Sequence, residues 1–176
     1  MSETPDESIS RRRLGLLTGG SAIAAAWFAL WFFILFPAAV LHFSGSDLRP
    51  PPGLTRWLGG GLIVIAHALL LRPVRAFIVE GRGTHVPIAP PRLLVQSGLF
   101  TRVRNPMYST YIAIALGEAI LFRSAALLGY TAFLCGLAHW YVVRIEEPKL
   151  RLRFGDEYDR YCTQVGRWLP LARRRS

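Results

Sequence analysis

Apolar residues fall into four long blocks separated by polar segments. The blocks cover residues 14–41, 54–71, 107–122 and 124–143. Most of them approach the roughly 20 residues that an α-helix needs to cross a hydrocarbon core of about 30 Å, and the third is the shortest. The pattern therefore predicts an all-α fold, an integral membrane bundle of about four transmembrane helices.

The polar segments between the apolar blocks predict how the helices are connected. Phe122-Arg123-Ser124 leaves room only for a tight turn, so the third and fourth blocks should form a helical hairpin. Asn105-Pro106 predicts the start of the third helix, because Asn is a preferred N-cap and Pro a preferred first helical residue. Residues 72–106 lack a helical period and contain many Gly and Pro residues, which indicates a long functional loop.

The C-terminal segment carries a different pattern. Apolar and aromatic side chains recur every three or four residues at Leu150, Phe154, Tyr158, Tyr161, Val165 and Trp168. This spacing predicts one amphipathic helix with charged residues on its other face. We expect that helix to lie against the membrane or the bundle.

The distribution of charge supports a membrane protein over a nucleic-acid-binding one. The net charge is +10, with 52% hydrophobic and 18% charged residues. Of the 21 Lys and Arg residues, 18 lie in residues 1–13, 72–106 and 144–176. The positive-inside rule then places both termini and the loop 72–106 in the cytoplasm. We expect a multi-pass protein of the inner (cytoplasmic) membrane.

The same reasoning divides the chain into three parts. Residues 1–13 form a cytoplasmic tail, residues 14–143 the transmembrane bundle including the cytoplasmic loop 72–106, and residues 144–176 a C-terminal cytoplasmic segment. A twin-arginine export signal is the alternative for the N-terminus, but the first block is longer than a signal's apolar region of roughly 7 to 15 residues. The two cysteines and four histidines show no ligand spacing, so no metal site is predicted.

Charged residues at two cytoplasmic positions suggest a ligand site. Glu146 and Glu147 follow the fourth block, where the simplest interpretation is a solvated helix junction with a local ion pair. Arg102, Arg104 and the helix start at Asn105 lie in the other segment. A pocket between the two would offer carboxylates, guanidiniums and free N–H groups to a zwitterion.

Two motifs carry a resemblance to a known family. Residues 98–108, Gly-Leu-Phe-Thr-Arg-Val-Arg-Asn-Pro-Met-Tyr, and the segment from Glu146-Glu147-Pro148 to Tyr161 resemble the two signatures of the isoprenylcysteine carboxyl methyltransferase and phospholipid methyltransferase superfamily. Trp168-Leu169-Pro170 follows the second signature, as it does in that family. Phe100 and Asn105 depart from the family, which commonly has Tyr and often has His at these positions.

The resemblance implies a membrane methyltransferase that binds S-adenosyl-L-methionine in a cytoplasmic pocket capped by residues 144–176. The motif positions imply these cofactor-binding residues: His85, Arg92, Leu93, Leu94, Val95, Phe100, Asn105, Pro106, Met107, Tyr108, Glu146 and Glu147. Arg144 and Arg104 are the candidate catalytic residues, with Arg144 facing the acceptor and Arg104 supporting the cofactor loop.

The acceptor is expected to be a lipid or a lipidated small molecule. Carboxylate, thiol and amine acceptors all remain open. Abundant arginines without an obvious base favour a carboxylate or thiol, because an amine must first lose a proton. The alternative function is an NADPH-dependent membrane reductase, since sterol reductases share a related C-terminal architecture. A membrane adaptor or small transporter would leave both motifs without a role.

Overall fold

The computed structural model describes residues 30–79 and 93–171, together with Trp27. Within these residues the fold is all-helical, as predicted, and the helices are α1 (Trp31–Phe43), α2 (Leu54–Val79), α3 (Pro106–Phe122), α4 (Ala125–Tyr141), α5 (Glu147–Phe154) and α6 (Asp156–Gln164). A π-helical turn, Val142–Glu146, joins α4 to α5, and a 3-10 turn covers Gly98–Thr101. The predictions for residues 1–13, His85 and Arg92 lie outside the described residues.

Within residues 30–79 and 93–171, two helices are long and apolar enough to cross a membrane. They are Leu54–Ala76 and the continuous helix Ala125–Phe154, whereas Trp31–Phe43 and Pro106–Phe122 are apolar but shorter. At 1.5 Å per residue the second one is about 45 Å long, which exceeds a hydrocarbon core of about 30 Å. Its charged residues begin at Arg144, so α5 lies beyond the apolar part. The number of four spans stays a prediction.

The predicted hairpin between α3 and α4 is present. Arg123 adopts a left-handed backbone conformation, with φ of 51°, and the side chain of Ser124 caps α4 by accepting a hydrogen bond from the Leu127 N–H. The Arg123 guanidinium also donates to Thr55 Oγ1 at 2.6 Å and to the Pro52 carbonyl at 3.2 Å. The turn of the hairpin is therefore tied to the start of α2.

Close contact between α2 and α3 depends on two glycines. A Cβ atom added to Gly59 would lie 2.6 Å from the Gly117 carbonyl oxygen, and one added to Gly117 would lie 2.7 Å from Ile63 Cγ1. Gly60 and Gly61 face open space instead. Of the glycine triplet, only Gly59 permits the backbones to approach each other.

The structure corrects the predicted start of the loop at residue 72. Helix α2 continues through Pro73 to Val79. Proline lacks an N–H and usually breaks a helix, so local sequence does not predict a helix that continues past this residue. Pro73 is fully buried, so the packing around its ring offsets the lost hydrogen bond.

The structure also corrects the single C-terminal helix. Gly155, with φ of 51° and ψ of −132°, separates α5 from α6, and Val165 is already extended. A residue with a Cβ rarely adopts that Gly155 conformation. The predicted apolar face nevertheless packs together: Tyr158, Tyr161 and Val165 form a buried cluster against which Leu150 and Phe154 pack.

We predict that Gly59→Ala lowers the thermal unfolding midpoint of the detergent-solubilised protein, with Gly60→Ala as the matched control. Alanine is favoured over glycine in a helix by about 1 kcal/mol, but overpacking at Gly59 should cost about 1–3 kcal/mol. Gly60→Ala should leave the midpoint unchanged or raise it. Equal stability of the two variants would contradict the glycine contact between α2 and α3.

Candidate functional site

A recess lies between the segment that precedes α3 and the C-terminal helices. Its lining residues are Leu93, Leu94, Val95, Phe100, Arg104, Asn105, Glu146, Leu150, Phe154, Tyr158 and Tyr161. Both sequence motifs therefore contribute to one recess, although about forty residues of helical hairpin separate them along the chain.

Most of the residues predicted to bind a cofactor are at or beside this recess. Leu93, Leu94, Val95, Phe100, Asn105 and Glu146 line it, as does the predicted catalytic residue Arg104. Pro106, Met107 and Tyr108 form the first turn of α3 directly behind Asn105. Their roles in binding stay predictions.

Hydrogen bonds join the two motifs along the edge of the recess. The Tyr161 hydroxyl donates to the Phe100 carbonyl at 2.7 Å, and the Arg104 N–H donates to the Gly166 carbonyl at 2.9 Å. Val103 and Gly166 form a parallel bridge. A Cβ at residue 166 would collide with the Leu169 carbonyl oxygen, so this turn requires glycine.

Asn105 precedes α3 as predicted but does not cap it through its side chain. Its Nδ2 donates instead to the Arg167 carbonyl at 3.2 Å, while its own carbonyl accepts from Ser109. The Asn105 side chain thus links the start of α3 to the segment after α6.

Glu147 is bound by arginines from three parts of the chain. Arg167 donates from Nε to Oε1 at 2.7 Å and from Nη2 to Oε2 at 3.0 Å, while Arg104 Nη1 lies 3.1 Å from Oε1 and Arg151 Nη2 lies 3.5 Å from Oε2. Burial raises the pKa of this carboxyl, but the Arg167 hydrogen bond and the three positive charges outweigh it and hold the pKa below its usual value. Glu147 is 2% exposed and ionised.

Glu146 has a different environment from its neighbour. Its Oε2 accepts a hydrogen bond from the Tyr108 hydroxyl at 2.9 Å, and its side chain lines the recess. No arginine forms an ion pair with it among residues 30–79 and 93–171. Burial is the largest influence on its pKa and raises it, more than the Tyr108 hydrogen bond lowers it. Only this member of the glutamate pair presents a carboxylate to the recess.

Arg104 provides the positive group of the recess. Besides Glu147, its Nη1 contacts Cys162 Sγ at 2.7 Å. Its Nε is buried and has no hydrogen-bond partner within the part of the chain that the structure describes. A guanidinium N–H with unused hydrogen-bonding capacity beside a recess is suited to an anionic or polar ligand.

Several other charged or polar residues lie outside the recess. Arg144 is exposed and does not line it. Glu118 is buried in α3, about 18 Å along the helix from Pro106. His139 accepts a hydrogen bond from Trp168 Nε1 at 3.1 Å. The described residues contain no cluster of three side chains able to hold a metal ion.

The sequence pattern did not single out Arg151 or Arg167 as parts of the site. Both belong to the nine basic residues from Arg144 onward, and all nine fit the same interpretation as positive-inside anchors. A contact between Glu147 and Arg167 joins residues that do not share a helix, so local periodicity contains no signal for it.

The chemistry of the recess fits a zwitterionic cofactor with an apolar part. Leu93, Val95 and Phe100 offer apolar walls, Glu146 a negative charge and Arg104 a positive one. The enclosed volume is about 50 Å³, against about 300–1,000 Å³ for small-molecule sites. A cofactor of nucleoside size would therefore have to displace part of the lining.

Comparison with known proteins identifies the family of the chain. A family model described as phospholipid methyltransferase matches residues 54–157, which extend from α2 into α6 and include more than half of the chain. A search of curated proteins finds no match.

Proposed function

The chain belongs to the phospholipid methyltransferase family, and we propose that it transfers a methyl group from S-adenosyl-L-methionine to a lipid-like acceptor at the recess. The observation that carries this proposal is the convergence of both motifs on one recess, where Glu146 is free of arginine partners among the described residues. The members of this family are membrane methyltransferases, which supports an enzymatic function for this chain. No observation favours the reductase alternative.

S-adenosyl-L-methionine supplies, when bound, a methyl group on a positively charged sulfur. Glu146 offers its carboxylate to the cationic part of such a ligand, and Arg104 offers its unused N–H to an anionic part. Phe100 and Leu150 line the recess with apolar side chains, and electrostatic interactions are stronger beside apolar groups than in bulk water. Methyl transfer needs the acceptor in line with the breaking bond, so positioning is the main contribution of the protein.

The structure offers a candidate general base, which makes an amine acceptor as plausible chemically as a carboxylate or a thiol. From the sequence, many arginines and no obvious general base favour a carboxylate or a thiol as the methyl acceptor. In the structure, however, Glu146 lines the recess, and burial raises the pKa of its carboxyl. Such a group is suited to accept the proton that an amine must lose before it attacks. We therefore propose a lipid-borne acceptor and retain amine, carboxylate and thiol as its three possible nucleophiles.

We propose that Arg144, which lies outside the recess, also takes part in methyl transfer. Arg144 lies in the π-helical turn where the apolar part of the helix ends. It is exposed, so its guanidinium is accessible to a headgroup that arrives from the bilayer. We propose that it orients an anionic acceptor or a phosphate through paired hydrogen bonds.

The proposed orientation places the recess on the cytoplasmic side of the membrane. The support is the distribution of Lys and Arg, most of which flank the recess rather than the turn at residues 44–53. Cytoplasmic supply of the cofactor agrees with this orientation.

We predict that Glu146→Gln weakens binding of labelled S-adenosyl-L-methionine by the purified protein about tenfold or more, because a hydrogen bond to a charged group contributes about 1.5–3 kcal/mol. Glu157→Gln, an exposed carboxylate on α6, is the matched control and should bind normally. Labelled NADPH should not bind to either variant or to the wild type. Binding of NADPH but not of S-adenosyl-L-methionine would replace the proposal with the reductase.

We predict that Arg144→Lys lowers turnover of the true acceptor while leaving cofactor affinity unchanged. Lysine keeps the positive charge at the membrane interface but loses the planar fork of the guanidinium. Arg153→Lys, also exposed and nine residues further along the chain on α5, controls for the general loss of guanidinium groups. Full turnover in Arg144→Lys would leave Arg144 as a charge anchor only.

We predict that an impermeant maleimide labels Leu48→Cys in intact cells and labels Gln164→Cys only after the membrane is opened. Both positions are exposed, and they lie on opposite sides in the proposed topology. The protein with its native Cys135 and Cys162 gives the background. The reverse pattern would place the recess outside the cytoplasm.

A further inference from the structure

We infer that Arg167 is a positioning residue for the recess: it holds Glu147 in place and thereby keeps Arg104 available to the ligand. Arg167 lies outside the residues 54–157 that match the family model. The inference rests on the proposed function, since its ligand is S-adenosyl-L-methionine, and it is argued from contacts between residues of this chain.

Arg167 touches both sides of the recess. Its guanidinium donates two nearly parallel hydrogen bonds to the Glu147 carboxylate, at 2.7 and 3.0 Å. Its carbonyl accepts from Asn105 Nδ2 at 3.2 Å. One residue after α6 therefore fixes the start of α5 and the residue that precedes α3.

The neighbours of Arg167 add to this attachment. The Gly166 carbonyl accepts from the Arg104 N–H at 2.9 Å, and Trp168 donates to His139 on α4 at 3.1 Å. The ring of Trp168 also lies edge-on to Tyr108, with 6.4 Å between centroids. Residues 166–168, which we call the clasp, thus contact the segment before α3, α3 itself, α4 and α5.

The charge balance explains why Arg167 affects Arg104. Glu147 is buried, and a buried carboxylate requires a nearby positive charge. Arg151, at 45% exposure, is partly screened by solvent, which leaves Arg104 and Arg167 as the strong partners. With Arg167 binding both carboxylate oxygens, Arg104 uses Nη1 on Glu147 and its Nε stays without a partner among the described residues. Without Arg167, Arg104 and the partly screened Arg151 would have to neutralise Glu147.

The geometry requires arginine at this position. Arginine binds a carboxylate with a planar fork, whereas the lysine ammonium is a single point charge. Arg167→Lys keeps the charge beside Glu147 but removes the paired hydrogen bonds. It therefore separates the geometric role of Arg167 from its electrostatic one.

The test measures cofactor binding, apo-protein stability and the pH dependence of binding in the same full-length variants. The set is Arg167→Gln, Arg167→Lys, Glu147→Gln and the double variant Arg167→Gln/Glu147→Gln. Arg160→Gln is the matched control, because Arg160 is an exposed arginine on α6 with one hydrogen bond to the backbone. Labelled S-adenosyl-L-methionine is the probe.

We expect Arg167→Gln to weaken binding about tenfold, equivalent to about 1.4 kcal/mol, and Arg167→Lys to weaken it less. Arg160→Gln should bind as the wild type does. In the double variant the loss should be smaller than the sum of the two single losses, because both act on the same contact.

The pH dependence distinguishes positioning from a general loss of stability. Arg167 helps to hold the pKa of Glu147 below its usual value, so Arg167→Gln should raise that pKa. The profile is measured in the Glu146→Gln background, because Glu146 also lines the recess and its raised pKa would make it the first of the two carboxyls to be protonated as the solution is acidified. In that background, affinity of the Arg167→Gln variant should fall at a higher pH than affinity of the protein with Arg167 intact. A variant that is only less stable would have a lower thermal unfolding midpoint, but its affinity for the ligand would fall at the same pH as before.

Each outcome has one interpretation. Wild-type affinity in Arg167→Gln, additive losses in the double variant, or an unchanged pH profile would overturn the positioning role while the proposed function stands. Absence of binding by the wild type would overturn the proposed function together with this role. If Arg167→Gln does not fold, Arg167→Lys supplies the same comparison.

Discussion

The buried carboxylate of Glu147 is the constraint on which the recess depends. A carboxylate removed from water needs cations nearby, and removal of one partner from a buried pair costs about 3–5 kcal/mol. The cations come from Arg104 before α3, Arg151 on α5 and Arg167 after α6. Satisfying one charge therefore brings together three segments that are far apart along the chain, and the recess forms where they meet.

This constraint also gives the two adjacent glutamates different tasks. Consecutive residues on a helix point in directions about 100° apart, so they cannot face the same partner. Glu147 turns toward the arginines, and Glu146 turns toward Tyr108 and the recess. The geometry of the helix thus explains the doubled acidic motif: the Glu147 carboxylate binds the arginines, and the Glu146 carboxylate lines the recess.

Much of the architecture follows from local patterns, and the remainder depends on tertiary contacts. Helical character, the hairpin turn at Arg123-Ser124 and the start of α3 at Pro106 were predictable because each is encoded by adjacent residues. The end of α2 was not, since burial of Pro73 overrides its effect as a helix breaker. The break at Gly155 was missed because an apolar period can continue across a bend. At the site, the motifs indicated Arg104, Asn105 and Glu146, whereas Arg167 resembled every other basic residue in the tail.

The position of the clasp has a consequence for biosynthesis. Residues 166–168 follow every helix described above, and the contacts that close the edge of the recess cannot form until they are synthesised. Formation of the helices and completion of the edge of the recess therefore require different lengths of synthesised chain. A chain synthesised only as far as Val165 contains the six helices described above but lacks the clasp and its hydrogen bonds to Arg104, Asn105 and Glu147.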